Sequence, residues 1–397
     1  MLKNISVFEE IVANCCECGE CVRVCPSLTR AQLSLGGIAK AMLAGAQQSE
    51  DADDLMLEYV GNEQLTQAVR GCFFCTRCQK ACKANNDVCK LVYACREEYQ
   101  ALGLIPRAAW SSVQVDQEWD LFKAYRAIFN IGYGDLQRHL DNECSPARHD
   151  IKIAFFPGCS LLSYGPELTR EVFATVEELG GATTLITECC GSPLKSAGFY
   201  DRAQALLERI ADELQQSGAE QVVCVCPGCR NAMQGVIEQR GLNCHAINLT
   251  RFLLDHGFKP AKDLSGMDLC VAKSCQDRDG SYLQETLQLL GLGADTPVIH
   301  GGCCGAGGAV SAFDCTQQAE QVAAKLAPVK DGQTVVTNCP TCTYTFAFDL
   351  MSNPRNIGNK NYLELIFSNQ FDWQRVSDQL NGMWTGEYAD WLAQTFA

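Results

Sequence analysis

Two sets of five cysteines, repeated about 115 residues apart, constrain this chain more than any other feature. The first set is Cys159, then Cys189-Cys190-Gly191, then Cys226-Pro227-Gly228-Cys229. The second is Cys275, then Cys303-Cys304-Gly305, then Cys339-Pro340-Thr341-Cys342. The intervals nearly agree: 30 and 28 residues to the paired cysteines, then 36 and 35 onward to the CxxC. A tetrahedral ion takes four ligands. Five thiols with two adjacent in sequence point instead to an iron–sulfur cluster of unusual shape, and so to redox work.

Each set lies on the same alternation of apolar strand and amphipathic helix. Short strands precede Cys159 (Ile151 to Phe156) and Cys275 (from Leu269). A helix follows in each repeat, with Leu168, Val172, Phe173, Val176 and Leu179 on one face in the first and Leu283, Leu287 and Leu290 in the second. Strands from Thr184 and Pro297 deliver the cysteine pairs, further helices follow (Leu207, Ile210, Leu214; Val322, Leu326), and strands from Gln221 and Thr334 end in the CxxC. Alternating strands and helices predict a small parallel α/β sheet in each repeat. Ligands of such sheets gather beyond the carboxyl ends of the strands. Three strands ending in cysteine would therefore converge five thiols at one edge. The run Gly301 to Gly308 lacks the lysine and the register of a phosphate loop, and its glycines suit backbone approaching a bulky inorganic group.

The first hundred residues carry a different thiol pattern. Cys15-x2-Cys18-x2-Cys21-x3-Cys25-Pro26 reproduces the bacterial ferredoxin run, and Cys72-x2-Cys75-x2-Cys78-x3-Cys82 repeats it with Lys83 in place of proline. In two-cluster ferredoxins the fourth cysteine of each run serves the other cluster. That pairs Cys15, Cys18 and Cys21 with Cys82, and Cys72, Cys75 and Cys78 with Cys25. The 46 residues between Cys25 and Cys72 carry Ile38, Met42, Leu43, Leu55 and Leu57 with little β-branched alternation, which predicts helices. Two zinc sites would leave the triplet spacing unexplained.

Composition enters where it excludes classes. Twenty-six cysteines in 397 residues would suit a disulfide scaffold only in a short secreted chain. This one opens Met-Leu-Lys-Asn with no signal-peptide pattern, so a reducing, cytoplasmic setting is expected. The longest candidate membrane segment, Ile38 to Ala46, falls far short of the roughly 18 residues of a membrane helix. Any membrane association is expected through a partner subunit. A net charge of −15 argues against nucleic acid.

The Cx(~30)CCGx(~35)CxxC element resembles the cysteine-rich CCG domain of heterodisulfide reductases. Two such domains behind a two-cluster ferredoxin resemble the catalytic subunit of that family in fused form, over nearly the whole chain from Cys15 to Cys342. More distantly, the architecture is similar to the iron–sulfur subunits of anaerobic glycerol-3-phosphate and glycolate dehydrogenases, which often lack several of these cysteines. The resemblance implies two cubane [4Fe-4S] clusters in the ferredoxin module and two noncubane [4Fe-4S] clusters. Cys159, Cys189, Cys190, Cys226 and Cys229 would hold one noncubane cluster, and Cys275, Cys303, Cys304, Cys339 and Cys342 the other. It implies an oxidoreductase of anaerobic metabolism that reduces or forms a disulfide, as one subunit of a larger complex. Its partners would be a flavoprotein or cytochrome b-type electron-transfer subunit and a small-molecule or protein disulfide. The alternative is an electron relay between a flavin dehydrogenase and a membrane quinone pool; a zinc-stabilised interaction scaffold is a third class.

The predicted organisation is an α-helical two-cluster ferredoxin domain over 1–105, a helical connector over 106–150, CCG domains over 151–262 and 263–350, and a helical tail over 351–397. In the connector, Pro106 breaks the chain and Trp110 and Trp119 could anchor helices. The tail holds Trp373, Trp384, Tyr388 and Trp391, which suit self-packing or a partner interface. Candidate proton donors, by nearness in sequence to the thiols, are His300, Lys195 and Lys273; each also reads as a surface or supporting group, and His245 is a weaker candidate. Of the spare cysteines, Cys144 stands alone, and Cys16, Cys89, Cys95, Cys224, Cys244, Cys270 and Cys315 read as core residues. Cys16, beside Cys15, leaves open which of the two thiols binds.

Overall fold

A computed structural model describes residues 2–105, 120–260 and 262–390. Pro106, Trp110, Trp119 and Trp391 lie outside the described residues. The chain divides into two compact units: residues 1–113, 193–202 and 301–323 in the first, and 114–192, 203–300 and 324–397 in the second.

Within residues 2–105 the described secondary structure is helical: α1 (Ile5–Asn14), α2 (Glu20–Val24), α3 (Pro26–Ala31), α4 (Leu35–Gln48), α5 (Ala52–Gly61), α6 (Glu63–Arg70), α7 (Arg77–Ala81) and α8 (Val88–Ala101). Local chemistry starts these helices where they start. The side chains of Ser34, Asp51, Asn62 and Asp87 each accept a backbone N–H in the first turn of α4, α5, α6 and α8, satisfying donors that a helix cannot pair internally. Pro26 sits at the opening of α3, where its missing N–H costs nothing. α4 turns Ile38, Ala39 and Met42 inward, and α8 adds Leu91, Val92, Cys95 and Tyr99 to the same core. Leu55 is buried and Leu57, in the same helix α5, is exposed.

The second unit holds two four-stranded parallel sheets with the same strand order. β1 (Ile153–Phe156), β2 (Thr183–Leu185), β3 (Gln221–Cys224) and β4 (His245–Asn248) pair in the order β2-β1-β3-β4. β5 (Leu269–Ala272), β6 (Val298–Ile299), β7 (Thr334–Thr337) and β8 (Gly358–Asn361) pair in the order β6-β5-β7-β8. All contacts are parallel, with Ala154 against Val222 and Val271 against Val336 at the sheet centres. β1 and β5 are buried along their whole length, as strands covered on both faces must be.

Three strands per repeat were expected, and the fourth is a correction. β4 (His-Ala-Ile-Asn) and β8 (Gly-Asn-Lys-Asn) are short, polar and partly exposed. They are edge strands, whose polar sequences lack the apolar signature of the central ones. β8 falls inside the stretch 351–397 read as a tail, and the helices Tyr362–Ile366 and Trp373–Thr385 follow it. The expected strands into the cysteine pairs are also shorter than predicted: β2 has three residues and β6 two. Trp373 stacks on Phe371 and meets Phe348 and Tyr164, so it packs on the chain's own core. Trp384 and Tyr388 are exposed.

Candidate functional site

The offsets between strand ends and cysteines are identical in the two repeats. Cys159 and Cys275 follow β1 and β5 by three residues, Cys189 and Cys303 follow β2 and β6 by four, and Cys226 and Cys339 follow β3 and β7 by two. Strand order reverses between β1 and β3, and between β5 and β7. In open α/β sheets that switch point opens the crevice where ligands sit. Cys159 and Cys226 therefore stand over one such crevice, and Cys275 and Cys339 occupy the equivalent positions in the other sheet.

The five thiols of the first set form one continuous chain of neighbours. Cys189 contacts both Cys159 and Cys190, Cys190 contacts Cys229, and Cys229 contacts Cys226. The hydrogen bond with Cys159 drives Cys189 well above the usual thiol range, while that with Cys189 holds Cys190 well below it. From the second set, Cys339 Sγ lies 3.6 Å from Cys226 Sγ. That contact draws Cys339 toward thiolate, and Cys339 also contacts Cys342. Ser160, next to Cys159, shares a 3.1 Å hydrogen bond with Thr341, inside the second CxxC. The cysteine-bearing edges of the two sheets thus face each other. Cys275, Cys339 and Cys342 belong to the second unit and the Cys303-Cys304 pair to the first.

In the N-terminal helices the thiols gather in the crossed pattern. Cys15, Cys18 and Cys21 line one cavity together with Cys82, Cys16 and Asn86. Cys25 instead hydrogen-bonds Cys78, which pulls it down to about 6, and it neighbours Cys72 and Cys75. Burial pushes Cys72 up to about 12. Both runs share one unusual backbone: Glu17 and Gly19 in the first, and Phe74 and Thr76 in the second, all have positive φ (53°, 72°, 53° and 62°). The positions match residue for residue. One product of this geometry is visible at Cys72, whose Sγ accepts the Phe74 N–H at 3.4 Å; Cys82 Sγ accepts that of Asn86 at the same distance.

Several observations fit an iron–sulfur group in these cradles. All 26 cysteines are free thiols in the structure. Sulfur accepts backbone N–H groups, as cluster ligands do. A Cβ on Gly36 would stand 2.6 Å from Cys15 Sγ, so glycine keeps that wall open. The buried amides Asn86 Nδ2 and Asn338 Nδ2 and Oδ1 have no partner within the protein. Leaving a buried donor unsatisfied costs about 1–3 kcal/mol, and both residues stand beside thiols: Asn86 in the first cavity, Asn338 immediately before Cys339. Among the described residues no group of three or more Cys, His, Asp or Glu closes around a single ion; the first-set thiols are strung out instead.

The predicted proton donors occupy different settings. Lys195 Nζ lies 5.2 Å from the Tyr93 ring centre and 5.9 Å from that of Tyr200. Lys273 bonds the Asp277 backbone carbonyl and stands 3.9 Å from its carboxylate. His300 is exposed, as is His245 at the start of β4. Three of the spare cysteines read as core residues are corrected: Cys16 and Cys315 are exposed and Cys244 is only half-buried. Cys315 opens the helix Cys315–Leu326 at the surface. Cys89, Cys95, Cys224 and Cys270 are buried as expected. Sequence reasoning missed Tyr282, a buried tyrosine that donates to the Val225 carbonyl and lies 3.2 Å from the Tyr362 hydroxyl, close to Cys226 and Cys339. It missed Asn338 too, although the repeat itself shows it: the equivalent residue before Cys226 is Val225.

Comparison with known proteins finds the repeated domain and several relatives. The model of the CCG cysteine-rich domain matches residues 153–234 and 268–347. The chain is 22% identical to an uncharacterized iron-sulfur protein of Methanocaldococcus jannaschii, over 83% of this chain and 66% of that protein. It is 26% identical to one subunit of the anaerobic glycerol-3-phosphate dehydrogenase of Escherichia coli K12, over 50% and 55%. It is 24% identical to one subunit of the dihydromethanophenazine:CoB–CoM heterodisulfide reductase of Methanosarcina barkeri, over 64% and 65%. The matched stretch spans about two thirds or less of each relative's length. The chain carries two CCG domains and is related to iron–sulfur oxidoreductase subunits. No helix among the described residues is long and apolar enough to cross a membrane.

Proposed function

We propose that this chain, a two-CCG-domain relative of oxidoreductase subunits, is the iron–sulfur catalytic subunit of a heterodisulfide-reductase-like complex. The observation that carries the proposal is the 3.6 Å approach of Cys226 to Cys339, because it sets the CxxC of the first thiol set against the CxxC of the second. When bound, the clusters would supply one-electron steps, cubane groups on Cys15, Cys18, Cys21 and Cys82 and on Cys72, Cys75, Cys78 and Cys25 feeding two noncubane groups. The chain's own residues do the rest. The first set's Cys159, Cys189, Cys190, Cys226 and Cys229 would hold one of these groups, and the second set's Cys275, Cys303, Cys304, Cys339 and Cys342 the other. The buried Tyr282–Tyr362 hydroxyl pair and the apolar strands keep water from that edge. Reduction of a disulfide breaks one S–S bond and consumes two electrons and two protons, one proton per sulfur. A flavoprotein or cytochrome partner provides the electrons. Lys195, Lys273 and His300 are the candidate sources of protons.

The 26% identity to a glycerol-3-phosphate dehydrogenase subunit favours a second reading, a relay from a flavin dehydrogenase to a quinone pool. One set of measurements separates them. Anaerobically purified protein is expected to hold about 16 iron and as much sulfide, as four [4Fe-4S] groups require; zinc in place of iron would sink both readings. Thiol added to the oxidised protein is expected to induce a paramagnetic signal that Cys304→Ser abolishes. Reduction of a menaquinone analogue with no thiol response would establish the relay instead.

A further inference from the structure

Arg96, in α8, is wholly buried, and all its hydrogen bonds end on backbone carbonyls. Nε donates to Val69 at 2.9 Å, one terminal nitrogen to Arg70 at 2.9 Å and Cys72 at 3.0 Å, and the other to Ser196 at 2.6 Å and to Gly308. A guanidinium has five N–H groups, and here each has its own carbonyl. The rings of Phe74 and Phe313 lie 5.0 and 5.3 Å from it. Among the described residues no carboxylate pairs with it. An unpaired charge taken out of water is costly, and proteins rarely bury one without a counter-charge. Carbonyl dipoles solvate the cation but leave its charge unbalanced.

The groups around it able to carry a balancing charge are the thiols of Cys72 and Cys95 and the phenols of Tyr93 and Tyr200; Cys72 acts on it most strongly, and a thiol ionises more readily than a phenol. Cys72 supplies one of the five carbonyls, and it neighbours Cys25, Cys75 and Cys78. The other contacts are equally specific. Ser196 lies six residues after Cys190, and Gly308 four after Cys304. The Gly308 backbone is pressed so close to Cys72 that a Cβ there would stand 2.0 Å from its carbonyl oxygen. One side chain therefore holds together the second ferredoxin-like run and the segments that follow both cysteine pairs.

We propose that Arg96 is the counter-ion of the group held by Cys25, Cys72, Cys75 and Cys78, raising its reduction potential above that of the group held by Cys15, Cys18, Cys21 and Cys82. This rests on the iron–sulfur reading of those thiols. Reduction adds negative charge, and a fixed cation in a low-dielectric interior stabilises the reduced form. The first cradle has no such buried cation: Cys16 and Cys18 are exposed to solvent there, and the lysines and arginine near it, Lys40, Lys83 and Arg23, are exposed, screened by water and paired with Glu17 and Glu20. The two groups, alike in ligand spacing, become unequal. Electrons then run downhill from the exposed cradle to the buried one. Arg96 is a positioning residue that touches no substrate.

The test is an EPR-monitored redox titration of the full chain, wild type against Arg96→Gln and Arg96→Lys, with iron and sulfide measured on each. Arg96→Gln is expected to shift one cubane midpoint to lower potential and leave the other where it was. Arg96→Lys keeps the charge but has three donors rather than five, so its midpoint is expected to stay near wild type while its thermal midpoint falls. This variant keeps the question decidable if Arg96→Gln does not accumulate. A Lys midpoint that falls, a Gln midpoint that does not move, or equal shifts of both signals would overturn the proposal. Wild-type protein without iron would instead overturn the iron–sulfur reading beneath it.

Discussion

At the scale of single residues, the repeat is more informative where it fails than where it holds. Cys226 and Cys339 are equivalent, yet the residue before one is Val225 and before the other Asn338. Val225 belongs to the apolar core, and its carbonyl accepts the Tyr282 hydroxyl. Asn338 puts an amide at the matching buried position with neither polar atom paired inside the protein. A hydrogen bond to cluster sulfur is the partner the chemistry offers, and such bonds raise a cluster's potential. Asn338→Val copies the first repeat into the second. In iron-free protein it is expected to raise unfolding stability by roughly 1–3 kcal/mol, because an unsatisfied buried amide is removed. In iron-loaded protein that gain should vanish and iron be lost more readily to a chelator. Paired urea titrations with and without iron check both halves; an equal gain in each would show that Asn338 faces no ligand.

At the scale of elements, the cysteine-bearing strand ends were legible because chemistry and hydrophobic pattern coincide there. Ile153 to Phe156 is continuously apolar, and Cys159 ends its loop. The edge strands β4 and β8 were not legible, since Gly-Asn-Lys-Asn pairs through backbone groups that leave no mark on side-chain pattern. Nor was the backbone of the ferredoxin-like runs, where Phe74 and Thr76 adopt a left-handed conformation that spacing does not encode. The same limit hid Arg96, because its five carbonyls come from segments up to about two hundred residues apart. The glycine-rich run Gly301 to Gly308 was expected to let backbone approach an inorganic group; at Gly308, its sharpest point, the close approach is to the backbone of Cys72 and Phe73. Gly308 has φ of +70° and no room for a Cβ beside the Cys72 carbonyl. Gly308→Ala is expected to cost at least roughly 1–3 kcal/mol from backbone strain, with more from the contact. Thermal unfolding of the variant measures it, and Gly332→Ala is the control, with similar φ but nothing near its Cβ. Equal losses in the two variants would mean that the approach to Cys72 adds nothing.

At the scale of the whole molecule, the two units differ in what holds them. The second has sheets in which β1 and β5 are wholly buried, with two apolar cores built around the strands. The first has helices of five residues at each cysteine run, α2 and α7, too short to persist on their own. It also holds non-glycine residues at positive φ (Glu17, Phe74 and Thr76), each costing of order 1–3 kcal/mol unless the surroundings compel it. On the proposed iron–sulfur reading, the compelling agent in such a loop would be the bound group, whose binding energy is then folding energy. Iron removal is therefore expected to act unequally. Chelation under reducing conditions should release the amide protection of residues 15–25 and 72–82 first, with loss of helical ellipticity, while protection of β1, β3, β5 and β7 survives. Hydrogen exchange read by mass spectrometry, before and after chelation, resolves the two regions. Uniform loss would mean that the sheets need the metal as much as the helices do. Unchanged protection at both cysteine runs would mean that their left-handed backbone is held by packing alone, and the strain argument would fail.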